Sequence, residues 1–406
     1  MSVIDSLPIA DLVARQTPGM TLEQPFYNDP GVFQRDLEAI VAKQWLFVDH
    51  ISALPTPGDY ITYEIAGESI ILVHAKGGAI HAFFNVCRHR GSRICLNPKG
   101  HVRTLTCPYH AWVWDLEGKL IRARQMPEDF KPEDWPLHAC AVRVWNGMIF
   151  INLAPEGDPQ VADFAAMARD LGPYIDHANL ASAKVVHTEL YPTDANWKLA
   201  VENFHECYHC APAHPEYTMV NAYVNDGDRD PEGRQKVVQD WRATWQIKGH
   251  AVDFLGPETR DPRQPWTVFR QPIRDGFHTL SQDGSYVAPL LNPEREPDDG
   301  EALLAFGPLF YIYLCTDHAT LFRFTPVSAN FSEVSVSWVV RGDAVEGRDF
   351  DVDKLKWMWD VTTIEDTKII NDNQKGVNSR RYTPGRYSTR EGWTREFIDW
   401  YLSRVA

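Results

Sequence analysis

The spacing of apolar residues changes character twice along the chain. In the first forty residues it is helical, interrupted by Pro18 and Pro25, and Asp29-Pro30 opens a helix that runs into the apolar stretch QWLFV. From about Ile51 to Leu153 short alternating or β-branched runs take over: YITYEI, SIILVHA, AIHAFFNV, VRTLTC, AWVWDL and RVWNGMIFINL. Gly, Pro and Asn turns separate them, which is the pattern of small antiparallel strands. APEGDP at 154–159 marks a boundary. Beyond it, DFAAMARDLGPYI reads as helix, AKVVHTELYPT as strand, and ANWKLAVENFHECYHC as a helix ended by Pro212. Residues 225–300, dense in Pro, Asp, Gly and Arg, predict long loops with a short strand near WTVFRQ. Strand-like runs return in LFYIYLC, ATLFRFTPV and EVSVSWVVR. Two helices close the chain: VDKLKWMWDVTTIEDTKIINDNQKG, stopped by Gly376, and WTREFIDWYLSRV.

Length and charge narrow the function classes. A chain of 406 residues predicts two or three units and a large core that needs no disulfides. The net charge of −15 argues against nucleic acid as the main partner, because phosphate recognition needs clustered Lys and Arg. No run of about eighteen apolar residues predicts a membrane span. The amphipathic start, MSVIDSLPIADLVARQ, does not read as a secretory signal. Seven cysteines, an odd and sparse set, fit a reducing, cytoplasmic setting in which grouped thiols bind metal rather than pair.

Two Cys-His pairs carry the first chemistry. Cys87-Arg-His89 and Cys107-Pro-Tyr-His110 are seventeen residues apart, each placed just after a strand-like run. Two turns facing one another at the tip of a small sheet would converge four ligands. Zinc accepts such a donor set, but classical zinc fingers group Cys with Cys and His with His. In a Rieske centre two thiolates hold one iron and two imidazoles the other, and the C-x-H, C-x2-H spacing matches that pattern. Cys95 has no matching partner and reads as a buried apolar thiol.

The second constellation is Glu202, Glu206, His209 and His214. On one helix Glu202, Glu206 and His209 share a face. A break at Pro212 lets His214 return to the same metal. Two imidazoles and one carboxylate with open positions suit a non-haem Fe(II) that activates O2. The carboxylate comes from elsewhere; Asp366 is the choice, with Asp360 and Glu365 as rivals. Asp360 and Asp366 lie about 240° apart around a helix, so both cannot serve one iron. Cys207-x2-Cys210 lacks the βαβ setting of a redox pair, and His205 reads as a packing or solvated residue.

NVCRHRGSRIC, CPYHAWVWDLEGKL, ANWKLAVENFHECYHCAPAHPE, DAVEGRDFDVDKL and EDTKIINDNQKGVNSRRYTPGRYS resemble the Rieske-type non-haem iron oxygenase α subunits over nearly the whole chain. The resemblance implies an α+β fold: a β-rich Rieske domain and a larger catalytic domain with a helix-flanked antiparallel sheet. It implies a segment at 1–44 packed on the catalytic domain, a [2Fe–2S] domain at 45–158 and a mononuclear iron domain at 159–406. It also implies a homotrimer in which the cluster of one subunit lies near its neighbour's iron. In that family an acidic residue three before the first His ligand bridges the centres; Glu206 holds that position here, where many members have Asp.

Within the family, WVVRGDAVEGRDFDVDKL, NQKGVNSRRYTPGRYS and the NW-x5-EN-x2-ECYHC segment are similar to glycine betaine and stachydrine oxygenases. This implies oxidative N-demethylation of a small quaternary ammonium compound of the glycine betaine, stachydrine or carnitine type. The alternative is mono- or dioxygenation of an aromatic acid at the same irons. A third class, an electron carrier or zinc-stabilised binding protein, leaves His209, His214 and Asp366 without a purpose. No G-x-G-x-x-G fingerprint or second cluster motif is present, so electrons come from a separate NAD(P)H-dependent flavin and iron–sulfur reductase.

Overall fold

The computed structural model describes residues 8–221, 230–255 and 265–406. The chain divides into two compact units, Ala42–Val161 and a discontinuous one made of Met1–Val41 with Ala162–Ala406.

The smaller unit is built on a seven-stranded antiparallel sheet of order β1-β10-β9-β4-β3-β2-β5. Its strands are β1 (Leu46–His50), β2 (Asp59–Ile65), β3 (Glu68–His74), β4 (Ile80–Phe84), β5 (Lys99–His101), β9 (Ala139–Trp145) and β10 (Met148–Asn152). β3 is covered on both faces: Ile70, Ile71, Leu72 and Val73 are fully buried, as a run without polar alternation requires. β5 is short, exposed and begins with Lys99, features that keep an edge from pairing further. A second sheet joins β6 (Leu105–Thr106), β7 (Val113–Trp114) and β8 (Leu120–Arg122). One apolar cluster unites Tyr60, Ile71, Val73 and Phe83 with Cys87, Cys107, Trp112 and Trp114, so the loops bearing the Cys-His pairs rest on the core of this unit.

The larger unit is a six-stranded antiparallel sheet of order β11-β16-β15-β14-β13-β12. Its strands are β11 (Ala183–Thr193), β12 (Thr267–Pro272), β13 (Gly300–Gly307), β14 (Phe310–Leu314), β15 (Ala319–Ser328) and β16 (Phe331–Arg341). Helix Val352–Val377 packs on β11 and on helix Trp197–Phe204, and helix Gly392–Val405 packs against both Ile9–Arg15 and Pro30–Ala39. Asp29 caps Pro30–Ala39 by accepting from the N–H groups of Gly31 and Val32, with Pro30 in the first turn where no donor is needed.

A fully buried ion pair, Lys198 with Asp36, ties that N-terminal helix to Trp197–Phe204. Trp197 Nε1 donates to Asp36 at 3.0 Å and the Tyr401 hydroxyl at 2.6 Å. Such a charge pair persists only with its remaining lone pairs satisfied.

The region read as loops holds a 17-residue helix, Pro231–Ile247. Asp230 caps it and Pro231 begins it, but only Arg234 of its side chains is buried, so the apolar stripe that marks a helix is missing. β13, GEALLAFG, also lay outside the predicted strands; it is buried at every residue and follows directly on the Pro- and Asp-rich stretch. Of the loops expected at 225–300, the parts at 225–229 and 256–264 lie outside the described residues. Among the described residues no helix is long and apolar enough to cross a membrane.

Candidate metal centres

The two Cys-His pairs occupy two copies of one loop. Cys87 N–H donates to Ser92 O and Gly91 N–H to Cys87 O; Cys107 N–H donates to Trp112 O and Ala111 N–H to Cys107 O. In both loops the residue four after the cysteine has positive φ, +76° at Gly91 and +55° at Ala111. Gly adopts that conformation freely and Ala at a cost. The loops bring Cys87 and Cys107 together as buried thiols in hydrogen-bond contact, with burial pushing the Cys87 thiol up. His89 and His110 are exposed, with ring centroids 4.6 Å apart, and His89 stacks on Trp112. Burial, His110 and Arg90 all push the His89 imidazole toward its neutral form.

That arrangement separates two donor pairs rather than closing four ligands on one point. Among the described residues the one set of three or more His, Cys, Asp or Glu whose ligand atoms all lie within 4.8 Å of one another is His209, His214 and Asp366. Zinc holds its four ligands on a single tetrahedron. Paired thiols with paired imidazoles beyond them fit a two-iron cluster, thiolates on the inner iron and imidazoles on the outer.

The second constellation forms differently from the sequence expectation. Helix Trp197–Phe204 stops eight residues before Pro212, and Cys210–Ala213 is a separate short helix that contains that proline. The Glu206 carboxylate causes the break: Oε2 accepts from the backbone N–H groups of Tyr208 and His209, which helix continuation would direct to carbonyls. Glu202 and His209 therefore do not share a face. Glu202 is buried instead against the hydroxyls of Tyr27 (2.9 Å) and Tyr387 (3.0 Å). Burial pushes its carboxyl up to about 7.

Glu206 Oε1 lies 2.6 Å from His209 Nδ1, and Glu365 Oε2 lies 2.8 Å from His214 Nδ1. Both rings thus present Nε2 to Asp366, at 3.3 Å from His209 and 2.9 Å from His214. Burial alone would lower the His209 pKa, but Asp366 and Glu206 outweigh it and hold it up at about 9. The same histidines hold Asp366 below the usual carboxylate range against its own burial.

Of the rival carboxylates, Glu365 orients a histidine, and Asp360 accepts from Tyr191 at 2.6 Å and pairs with Lys356 at 3.1 Å. Two imidazoles oriented through Nδ1 and one carboxylate on one side are the donor set of an Fe(II) site that leaves positions open.

A cavity of about 570 Å³ adjoins this cluster, within the range of small-molecule sites. Aromatic rings from several elements line it, among them Phe204, Tyr217, Phe269, Tyr313 and Trp359, together with the buried carboxylate of Glu301. Sequence reasoning missed Glu301, which sits at the start of the unanticipated β13.

Cys207 and Cys210, expected as free thiols, are joined by a disulfide: the turn around Glu206 brings their Cα atoms to 4.9 Å. His205 is a packing residue, stacked on Trp393 at 4.0 Å and 2.6 Å from the Tyr311 hydroxyl. Cys95 is buried, its thiol pushed up to about 12 by desolvation.

Comparison with known proteins agrees with both centres' chemistry. Residues 180–406 match the ring hydroxylating alpha subunit (catalytic domain) family and residues 44–144 the Rieske [2Fe-2S] domain family. The chain is 37% identical to a glycine betaine monooxygenase oxygenase subunit of Chromohalobacter salexigens, over 98% of this chain and 89% of that protein. It is 36% identical to a carnitine monooxygenase oxygenase subunit of Acinetobacter baumannii, over 100% and 99%. A crystal structure of the quaternary ammonium Rieske monooxygenase CntA with L-carnitine superposes with a TM-score of 0.68 at 25% identity, covering 98% of each chain.

Proposed function

This chain belongs to the Rieske-type ring-hydroxylating α-subunit family, and from that premise we propose that it N-demethylates a small quaternary ammonium compound. The protein is an oxygenase subunit with a Rieske [2Fe–2S] cluster and a mononuclear iron, and it uses O2 with electrons from a reductase. In our reading Cys87, His89, Cys107 and His110 hold the cluster, and His209, His214 and Asp366 hold the single iron. The reductase is a separate NAD(P)H-dependent flavin and iron–sulfur protein, in the cytoplasm. The chain forms a homotrimer in which Glu206 links His209 to a neighbour's cluster.

The observation that carries the reading is the cavity beside His209, His214 and Asp366, walled by aromatic rings and containing a carboxylate. Ring faces attract permanent cations, each contributing on the order of 0.5–2 kcal/mol. When bound, the iron supplies O2 activation and hydroxylation of a substrate C–H. The chain's own groups set the stage. Glu206 and Glu365 accept from the Nδ1–H groups of the two histidines and so keep both Nε2 lone pairs turned inward. Phe204, Tyr313 and Trp359 line the cavity with ring surface. A hydroxylated N-methyl is a hemiaminal, which collapses to formaldehyde, a proton and the tertiary amine.

The test is a substrate panel with a surrogate reductase. Formaldehyde released stoichiometrically with glycine betaine, stachydrine or carnitine is the expected result. Oxygenated product from aromatic acids with no formaldehyde from any cation would replace this reading with ring hydroxylation.

A further inference from the structure

The wall of the cavity holds a buried carboxyl group that no counter-ion among the described residues contacts. Glu301, at the head of β13, is 3% exposed and lines the cavity. Its Oε1 accepts from Gln271 Nε2 at 2.6 Å and Asn221 Nδ2 at 2.9 Å. Its Oε2 is shielded from solvent, and among the described residues no donor reaches it. Among the described residues no Lys, Arg or His forms an ion pair with it. Burial pushes the Glu301 carboxyl up, and Gln271, Arg234 and Asn221 act to bring it down; Arg234 does so from behind Gln271, to whose Oε1 it donates at 3.3 Å. The surroundings are aromatic. Tyr217 and Tyr313 both feel the Glu301 charge, and Tyr313 feels Asp366 as well, so the Tyr313 phenol lies within electrostatic reach of both carboxylates. The Trp359 ring lies 4.1 Å from that of Tyr313, tilted by 34°, and 5.7 Å from that of Tyr217.

A carboxylate with one oxygen tethered by two amides and the other left without a donor suits a cation. A primary or secondary ammonium would donate its N–H groups to that free oxygen. A quaternary ammonium has none to satisfy and responds only to charge and ring faces. In a cavity walled by rings the charge interaction is weakly screened and acts without contact. Tying Oε1 to Gln271 and Asn221 holds the negative charge in place, and it costs no reorganisation when a cation arrives.

We propose that Glu301 is the residue that selects a permanently cationic substrate over its neutral isostere. The inference rests on the demethylase reading and adds to it the group that discriminates. The rings accept any apolar head of the right size; the carboxylate rejects the uncharged one, because filling the cavity with a tert-butyl group leaves Glu301 buried and uncompensated.

The experiment compares glycine betaine with 3,3-dimethylbutanoate, in which carbon replaces the ammonium nitrogen, on the complete oxygenase. Wild type and Glu301→Gln are measured for affinity by displacement and for KM and kcat with the cation. Glu301→Gln keeps the side chain's volume and removes its charge. The expected result is a preference for the cation that falls about tenfold or more. The loss lies in the cation's KM, the isostere's affinity is unchanged or improved, and the cluster's visible spectrum is retained. Glu301→Asp keeps the charge and recovers most of the preference, which a purely structural role would not give. An unchanged ratio in Glu301→Gln, with wild type still releasing formaldehyde from the cation, would overturn the inference alone. If wild type neither binds nor demethylates any quaternary ammonium, the functional reading and this inference fall together.

Discussion

Oε1 of Glu206 lies 2.6 Å from Nδ1 of His209, while its other oxygen accepts the backbone N–H of the same histidine at 3.2 Å. One carboxylate thus ends the helix, fixes the ring's tautomer and turns Nε2 toward Asp366. Glu206→Gln keeps the size and weakens the acceptor. Groups that orient metal-bound histidines contribute on the order of 10–100-fold to metal affinity or activity. Product formation in Glu206→Gln should fall by about that factor with the cluster's visible spectrum unchanged. Rapid-mixing reoxidation of the reduced protein is the measurement, and a near wild-type rate would remove Glu206 from the electron route.

Asp366, Glu365 and Asp360 share one helix and separate by role. Asp366→Ala should abolish the single iron and all turnover while sparing the [2Fe–2S] cluster. Glu365→Gln should retain the iron more weakly, by about 10–100-fold in affinity. Asp360→Asn should leave iron content unchanged, because its partners are Tyr191 and Lys356. Metal analysis of the three variants decides the order; iron lost from Asp360→Asn and kept in Asp366→Ala would reverse the assignment.

Glu202 gives the fold a pH dependence of known sign. Burial raises its carboxyl to about 7 from an ordinary 4.5. A raised acid favours the protonated form when folded, so its stabilisation is complete below about pH 4.5 and is lost as pH climbs through 7. The span is on the order of 3 kcal/mol. Glu202→Gln should flatten the fall in melting temperature between pH 5 and 8, a window about as wide as that titration. Parallel curves for the two proteins would contradict this.

Asp36 is the partner of buried Lys198. Asp36→Asn strips the negative charge and leaves an ammonium fully inside the protein. Breaking a buried pair in this way costs about 3–5 kcal/mol. Denaturant unfolding should show a loss of that size in Asp36→Asn. The double variant with Lys198→Met should recover part of it.

Much of the molecule could be read from the residues because its signals are local. Strands β2, β3, β4, β6, β7 and β10 of the smaller unit, the β11 segment, the Asp29-Pro30 helix start and both long C-terminal helices follow from alternation, periodicity and caps that lie within a few residues. The Cys-His pairs were legible by spacing, since each loop is a local turn. What escaped depends on partners far away in sequence. Helix Pro231–Ile247 has no apolar stripe to announce it. The end of helix Trp197–Phe204 turns on where the Glu206 carboxylate points, and helical periodicity carries no information about that. Glu301 reads as an ordinary acidic residue after Asp299-Gly300; only the fold sets it beside Asn221 and Gln271.

The larger unit is interrupted by the smaller one: Met1–Val41 must wait for Ala162–Ala406. Two of its interior acids show how long the wait lasts. Asp36 needs Lys198 and then the Tyr401 hydroxyl, while Glu202 needs Tyr387 as well as Tyr27. During synthesis the inserted unit can be complete while its host still lacks these final hydroxyls. The nascent chain then carries a finished electron-transfer module on an unfinished oxygenase, until Tyr387 and Tyr401 arrive to close the host around its buried acids.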